Sequence, residues 1–225
     1  MQIWNMIKYS LSDRRLQKEV KKRYYHDHPF SHLDRALLTA YIFKNPYTIS
    51  KNYLKNRNEK EIHTYGETPL MTYEKIAKEV ELEPTDTFLE LGSGRGRGAL
   101  FLHHFFKCQV IGIERIPQFV KLSRYLSHKY HQGRVTFICG DMLKGELPEA
   151  TVVFLYGTAL SDQEITSLVQ KLKKYPKGTK IISISYPLTD YDENGFQIEK
   201  TFPVSFLWGE TEAYIQTVCH HERID

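Results

Sequence analysis

The sequence predicts a doubly wound α/β fold: a mostly parallel seven-strand sheet with an antiparallel edge, preceded by a small helical N-terminal region. Three observations support this. From residue 87 onward, apolar strand-like runs alternate with amphipathic helical segments, which is typical of parallel sheets with short right-handed crossovers. The last two strand-like segments follow each other without a helix, which indicates an antiparallel edge. The first strand ends in a glycine-rich turn that leads directly into a helix.

The first sixty or so residues show helical periodicity and no strand-like alternation. One predicted helical face comprises Leu33, Leu37, Leu38 and Tyr41. The residue before a proline disfavours helix, so Asn45-Pro46 is expected to end that helix. We therefore predict two parts, a helical region over residues 1–64 and a cofactor-binding domain over residues 65–225.

The predicted domain starts with a helix and continues in strand–helix alternation. Its helices are one capped by Thr68 that starts at Pro69 and reaches about Val80, then Arg97–Phe106, Pro117–Tyr130, and one capped by Ser161 that reaches about Tyr175. Its strands are Thr87–Leu91, Gln109–Glu114, Arg134–Cys139, Thr151–Tyr156, Lys180–Ser185, Ile198–Val204 and Ala213–Val218. The fourth strand is almost entirely apolar, so it is expected to lie buried in the centre of the sheet.

Composition limits the class of protein. The chain has 225 residues, of which 41% are hydrophobic and 13% aromatic, with a net charge of +4. This length accommodates one sizeable core and a small appendage. No window reaches the roughly 18–20 apolar residues of a membrane span, and no secretion signal is expected. Three cysteines lack any ligand-like spacing, so we expect a reduced, cytoplasmic protein.

The glycine-rich turn carries the strongest functional signal. Residues 88–98 read Phe-Leu-Glu-Leu-Gly-Ser-Gly-Arg-Gly-Arg-Gly, which places four alternating glycines between a strand and a helix. Glycine lets the backbone turn sharply and approach a ligand closely, and the following helix directs its free N–H groups at that ligand. This arrangement predicts a nucleotide-type cofactor.

Three acids help to choose the cofactor. Glu90 lies two residues before the first glycine, where a negative charge suits an ammonium group and is unfavourable beside a pyrophosphate. Glu114 ends the second strand, where a carboxylate can accept both ribose hydroxyls, as it also would in an NAD site. Asp141 and Met142 follow the third strand, beside the expected adenine position. The set favours S-adenosylmethionine over NAD.

These residues resemble the non-SET histone lysine methyltransferase family named for disruption of telomeric silencing, which has a seven-strand, Rossmann-like methyltransferase fold. The resemblance covers residues 65–218 and is most specific in the loop Tyr65-Gly66-Glu67-Thr68. The other matching segments are residues 88–94, Gly112-Ile113-Glu114, residues 140–143, Phe206-Leu207-Trp208 and residues 214–218. The resemblance implies lysine N-methylation by direct in-line methyl transfer, with Tyr65 and Glu67 covering the methionine end of the cofactor.

The chain departs from that family after the fourth strand. Where the family has a paired asparagine, this chain has Tyr156-Gly157, so cofactor binding carries over better than the acceptor. Tyr156 is the candidate for the acceptor wall or a hydrogen-bond partner, and Tyr65 is the second catalytic candidate. A lysine on a protein is the leading acceptor. RNA or a small metabolite, a non-catalytic cofactor-binding module and an NAD-linked oxidoreductase stay open.

The predicted cofactor-binding residues are Tyr65, Glu67, Thr68, Glu90, Gly92, Ser93, Gly94, Arg97, Glu114, Arg115, Asp141, Met142 and Leu155. We predict no metal site, because Pro29 interrupts the only suggestive histidine cluster, formed by His26, His28 and His32. A basic cluster offers contact with nucleic acid or a nucleosome; it consists of Arg14, Arg15, Lys18, Lys21, Lys22 and Arg23.

Overall fold

A computed structural model of the chain describes residues 14–59, 61 and 65–219, and the parts of the predictions that concern other residues lie outside it. The strands are β1 (Thr87–Leu91), β2 (Gln109–Glu114), β3 (Val135–Cys139), β4 (Val152–Leu155), β5 (Lys180–Ile184), β6 (Phe196–Phe206) and β7 (Gly209–Val218). They form one sheet in the order β3-β2-β1-β4-β5-β7-β6, in which β1 to β5 are parallel and β7 is antiparallel to both neighbours. The predicted fold class is confirmed.

The described helices lie on both faces of the sheet and before it. They are α1 (residues 14–24), α2 (His28–Ala40), α3 (Pro46–Asn56), α4 (Leu70–Glu79), α5 (Arg97–Phe106), α6 (Pro117–Lys129) and α7 (Asp162–Leu172), with a short 3₁₀ turn at Leu188–Asp190. None of the helices in these ranges combines the length and hydropathy that crossing a bilayer requires.

Two predicted helix boundaries are wrong, and both involve proline. Asn45-Pro46 does not end a helix but starts α3: the Asn45 side chain accepts from the Tyr47 N–H at 2.8 Å, and Pro46 is the first residue. Proline is favoured in that first turn, where its missing N–H costs nothing. Thr68 does not cap α4, because the cap position is Pro69, whose ring carries no capping group. The predicted Ser161 cap of α7 is present as a complete capping box with Glu164.

The N-terminal helices share the core of the sheet. Tyr24 of α1 and Phe30 of α2 belong to the same apolar cluster as α4, α5, α6 and one face of the sheet. Their rings pack against Phe101 of α5 at centroid distances of 5.0 and 5.7 Å. A second cluster, between the other face and α7, contains Leu155 and Leu168. The helical region is therefore packed directly behind the helix that follows the glycine loop.

Candidate active site

A cleft of about 990 Å³ opens at the carboxyl ends of the parallel strands. β1 lies between β2 and β4 at this edge, where the chain crosses to either side of β1, and ligands of doubly wound sheets bind at such a point. The predicted residues that line this cleft are Tyr65, Gly92, Gly94, Glu114, Arg115, Asp141, Met142 and Tyr156. The structure thus brings together residues that are up to 91 positions apart in sequence.

A second, smaller cavity of about 30 Å³ adjoins the cleft. The predicted residues around it are Tyr65, Glu67, Thr68, Glu90, Gly92, Ser93, Gly94, Arg97 and Tyr156. Five residues line both spaces: Tyr65, Gly66, Gly92, Gly94 and Tyr156. The glycine loop and these two tyrosines therefore mark the junction of a large space and a small one.

The glycine loop is folded tightly at this junction. Gly94 has a φ of +53°, and a Cβ on it would come within 3.4 Å of the Tyr65 ring. Its N–H donates to Glu114 Oε2 at 2.9 Å. A side chain here would strain the backbone because of the positive φ, so glycine is favoured where the loop passes between Tyr65 and Glu114.

Backbone N–H groups fix the carboxylate of Glu114, the residue predicted to bind the ribose. Its second oxygen, Oε1, accepts from the Ile116 N–H at 2.8 Å, and the carboxylate lies at the edge of the large cleft. Burial raises the pKa of Glu114 above its ordinary value, although the two backbone N–H donors favour the ionised form. Each oxygen keeps a second lone pair, so the carboxylate is able to accept from two vicinal hydroxyls.

Glu90 is a buried carboxylate that lines the small cavity. The residue is 2% exposed, the Tyr73 hydroxyl donates to its Oε1, and its Oε2 has no partner at hydrogen-bond distance among the described residues, although the nearby Ala99 N–H favours the ionised form. Burial, together with the negative charge of Glu114, raises the pKa of Glu90 to about 8. A buried acceptor without a donor is costly, and an ammonium group would supply the missing donors. The residues present therefore fit the amino end of the predicted cofactor.

Tyr65 and Glu67 are held by an arginine of the glycine loop. Arg95 forms a two-pronged ion pair with Glu67, with Nε–Oε1 and NH2–Oε2 distances of 2.6 Å. The Tyr65 hydroxyl donates to Glu67 Oε1 at 2.5 Å. Burial would raise the pKa of Glu67, but the adjacent Arg95 guanidinium lowers it below its ordinary value. The loop that covers the small cavity is thereby tied to the glycine loop.

Two predicted cofactor-binding arginines line the two spaces and also pair with protein carboxylates. The Arg97 guanidinium binds Asp34 of α2, with Nε–Oδ1 and NH2–Oδ2 distances of 2.6 and 2.7 Å. Arg115 lies at the cleft, 3.4 Å from Glu59. The sequence contains both arginines, but their partners, Asp34 in α2 and Glu59 after α3, lie far away along the chain and become apparent only in the fold.

The comparisons with known proteins agree with this geometry. The sequence model of the ANTKMT methyltransferase domain matches residues 90–194. A solved RNA methyltransferase from Salinibacter ruber, in complex with S-adenosyl-L-homocysteine, is 25% identical with a TM-score of 0.58. That similarity covers 71% of this chain and 97% of the bacterial one.

The chain has the class I methyltransferase fold.

Two curated methyltransferases show sequence similarity over parts of their length. The H3 lysine-79-specific histone-lysine N-methyltransferase of Caenorhabditis elegans is 30% identical over 170 residues, which is 65% of this chain and 17% of that protein. Protein-L-isoaspartate O-methyltransferase of Pyrococcus abyssi is 35% identical over 101 residues, or 44% of this chain and 46% of the relative. The chain thus spans less than half the length of both relatives.

The remaining predicted residues of the methyltransferase site differ in their placement. Asp141 and Met142 lie in the large cleft, and Asp141 Oδ1 accepts from the Leu143 N–H at 3.0 Å. The Ser93 hydroxyl packs against Gly112 of β2. The prediction for Leu155 is wrong: its side chain belongs to the core beneath α7 and lines neither space. Strand side chains alternate between faces, so Phe154 points to the small cavity and Leu155 away from it.

Tyr73, Phe154 and Asp34 are among the residues around the site that escaped prediction. Tyr73 and Phe154 line the small cavity, and Asp34 holds Arg97. Asp34 did leave a signal, because it lies beside Leu33 and three residues before Leu37, within the apolar face of α2. A carboxylate on a buried helical face requires a partner, and a cation such as Arg97 is a suitable one.

An aromatic stack leads from the junction to the surface. The Tyr156 ring stacks on Phe206 with a centroid distance of 4.8 Å and an interplanar angle of 12°. Phe206 stacks in turn on Trp208, with a centroid distance of 5.4 Å and an angle of 8°. The Trp208 Nε1–H donates to the Tyr156 hydroxyl at 2.7 Å. Trp208 is 48% exposed, so the stack has one end at the two cavities and the other in solvent.

Proposed function

We propose that this protein is an S-adenosylmethionine-dependent methyltransferase that N-methylates a lysine side chain of a protein substrate. The observation that carries the proposal is the position of Tyr156, which lines both the small cavity and the large cleft. The small cavity fits the amino-acid end of the cofactor and the cleft fits the nucleoside. Tyr156 therefore stands beside the junction, where a transferable methyl group belongs.

The aromatic stack suits an aliphatic acceptor that ends in an amine. Its exposed end, at Trp208, offers an aromatic surface for the methylene groups of such an acceptor, and its inner end, at Tyr156, lines both spaces. The bound cofactor supplies a methyl group that is already activated by its sulfonium. The chain then mainly has to hold the attacking lone pair in line with that group.

The amine must lose its proton before it attacks. A dry channel beside a positive charge lowers the pKa of a lysine, so a dedicated strong base is not needed. The Tyr156 oxygen accepts the Trp208 N–H and keeps a second lone pair. That lone pair is suited to accept from an N–H of the neutral amine and so to orient it.

Charge and similarity also favour this acceptor. Among the described residues, the lining cation of the cleft is Arg115, which pairs with Glu59, and the lining carboxylates are Glu59, Glu61, Glu114, Asp141 and Glu164. An acidic cleft attracts a cationic lysine more than an anionic substrate. The similarity to a histone-lysine methyltransferase adds support from sequence.

RNA is the second candidate acceptor. The solvent face of α1 presents exposed basic side chains, of which Arg14, Arg15, Lys18, Lys21 and Lys22 have no ion-pair partner among the described residues. Such a face suits a phosphate backbone, and the similar Salinibacter protein is an RNA methyltransferase.

The test is transfer of a radiolabelled methyl group from the cofactor to a lysate of the native organism. We expect label in protein that is removed by protease, resists nuclease and mild alkali, and yields methyl-lysine on hydrolysis. Alkali-labile label would indicate a carboxyl methyl ester and would contradict the proposal. Label in RNA or in small molecules, or no label at all, would contradict it as well.

Tyr156→Phe refines the test. Loss of the hydroxyl removes the hydrogen bond to Trp208 and the one proposed for the amine, each worth about 1 kcal/mol. We expect turnover to fall about tenfold while affinity for S-adenosylhomocysteine is unchanged. Trp208→Phe is the matched control, because it removes only the first of these bonds and keeps the stack. Equal losses in both variants would exclude a role for the tyrosine hydroxyl beyond that bond.

A further inference from the structure

The guanidinium of Arg97 connects the cofactor loop to the N-terminal helices. Arg97 is the first residue of α5, and its side chain is 13% exposed. Besides the two bonds to Asp34, its NH2 donates to Gln17 Oε1 of α1 at 3.2 Å. One side chain at the start of α5 thus contacts two helices that precede the cofactor-binding domain.

Asp34 lies where a carboxylate is costly. It is 2% exposed, within the apolar face of α2, and the Tyr25 hydroxyl donates to its Oδ2 at 2.9 Å. With three donors its two oxygens are well satisfied. Removing one member of a buried ion pair leaves the other charge uncompensated, so the position of Arg97 depends on Asp34.

The glycine loop depends on such external supports. Gly92, Gly94 and Gly96 all have positive φ, and no side chain caps the N-terminus of α5. Bonds from outside hold the loop: Glu114 accepts from the Gly94 N–H, and the Ser123 hydroxyl donates to the Arg95 carbonyl at 2.8 Å. The ion pair of Arg97 with Asp34 provides the support at the end of the loop, where α5 begins.

We propose that Asp34 is a positioning residue for cofactor binding: through Arg97 it fixes the start of α5 and the glycine loop. The N-terminal helices are then part of the cofactor site, which they also reach through Ser50, a residue that lines the large cleft, and through Tyr41, whose ring centroid lies 4.8 Å from the Arg95 guanidinium carbon. The inference concerns the cofactor and not the acceptor, so it does not depend on lysine being the substrate.

The test measures S-adenosylhomocysteine binding to the full chain by calorimetry, well below the melting temperature of each variant. We expect Asp34→Asn to weaken binding about tenfold or more, and to raise the KM for the cofactor more than it lowers kcat. Asp27→Asn is the matched control. Asp27 caps the same helix through the Phe30 N–H at 2.9 Å and pairs with His104, away from the loop. We expect it to lower stability and leave the affinity unchanged.

A double-mutant cycle keeps the proposal testable if the single variant folds poorly. Asp34→Asn combined with Arg97→Gln removes both charges, and we expect affinity no weaker than that of Arg97→Gln alone. Hydrogen exchange supplies a second measurement: the ligand should slow exchange in α2 of the wild type and not in Asp34→Asn. Additive effects on affinity, or an unchanged affinity in a folded Asp34→Asn protein, would overturn the proposal.

Discussion

Glu90 shows how one buried carboxylate links cofactor binding to pH. Its pKa of about 8 lies above its ordinary 4.5 because the group is buried. A group whose pKa is raised on folding stabilises the fold fully below pH 4.5, and this contribution is lost as pH rises through 8. Without cofactor, the free energy of unfolding should therefore fall across that window. An ammonium group placed beside Glu90 reverses the preference of this buried group for its protonated form, because it stabilises the ionised carboxylate.

Binding of S-adenosylhomocysteine at pH 6.5 is thus expected to release up to about one proton from Glu90. Calorimetry in buffers of different ionisation enthalpy measures this release directly. Glu90→Gln should bind more weakly, release no proton, and show a flatter dependence of melting temperature on pH. The assignment of Glu90 to the amino end would be wrong if the variant released as many protons as the wild type.

For single residues, the sequence predicted positions that follow from the spacing of strands and loops. It did not predict contacts that depend on how separate elements pack. That Glu90 and Glu114 line the candidate site was predictable, because the strand ends of a parallel sheet meet at one edge. Tyr73 was not predicted, because the sequence of α4 gives no sign that the Tyr73 hydroxyl reaches Glu90 of β1. Leu155 was assigned to the site because the sequence located its strand correctly but did not show which face of the sheet its side chain is on.

Among the elements, the contact between α4 and α5 supports the small cavity. Gly98 lies in the first turn of α5, and a Cβ on it would lie 2.2 Å from the Tyr73 ring. The same tyrosine donates its hydroxyl to Glu90. The close approach of the two helices therefore places a ligand-binding carboxylate, and glycine is what permits it.

Gly98→Ala is expected to destabilise the protein, although alanine normally favours a helix by up to about 1 kcal/mol. Overpacking costs about 1–3 kcal/mol, and a displaced Tyr73 would also weaken cofactor binding. Thermal unfolding and calorimetry with S-adenosylhomocysteine measure the two effects. Gly133→Ala is the matched control, because a Cβ there meets no atom within 4 Å. A Gly98→Ala protein as stable as this control would show that Tyr73 moves aside at no cost.

The boundaries of elements were less predictable than the elements themselves. The start of α3 at Asn45-Pro46 and the uncapped start of α4 after Thr68 both depend on whether a proline ends one helix or begins another. Local sequence is compatible with either, and in the first case the Asn45 side chain caps the helix that Pro46 begins. β6 and β7 are longer than predicted because they pair with each other over almost their full length.

At the scale of the whole molecule, the predicted division between the helical region and the cofactor-binding domain, at residue 64, raises the question of whether the two parts unfold together. Val20 and Leu37 of the N-terminal helices lie in one apolar cluster with Leu100 of α5 and Val110 of β2. Asp34 adds an ion pair across the same boundary. Two parts that share a core and a buried ion pair have little separate stability, so we expect them to unfold together.

Calorimetric unfolding should accordingly give one transition, with equal calorimetric and van't Hoff enthalpies. S-adenosylhomocysteine at about 100 times its Kd should add about 2.7 kcal/mol. For a chain of this size, that corresponds to a rise in melting temperature of roughly 5–11 °C. The whole transition should shift, because the ligand is held by a loop that α2 supports through Arg97. Two transitions, of which only one responds to the ligand, would instead make the N-terminal helices an independent domain.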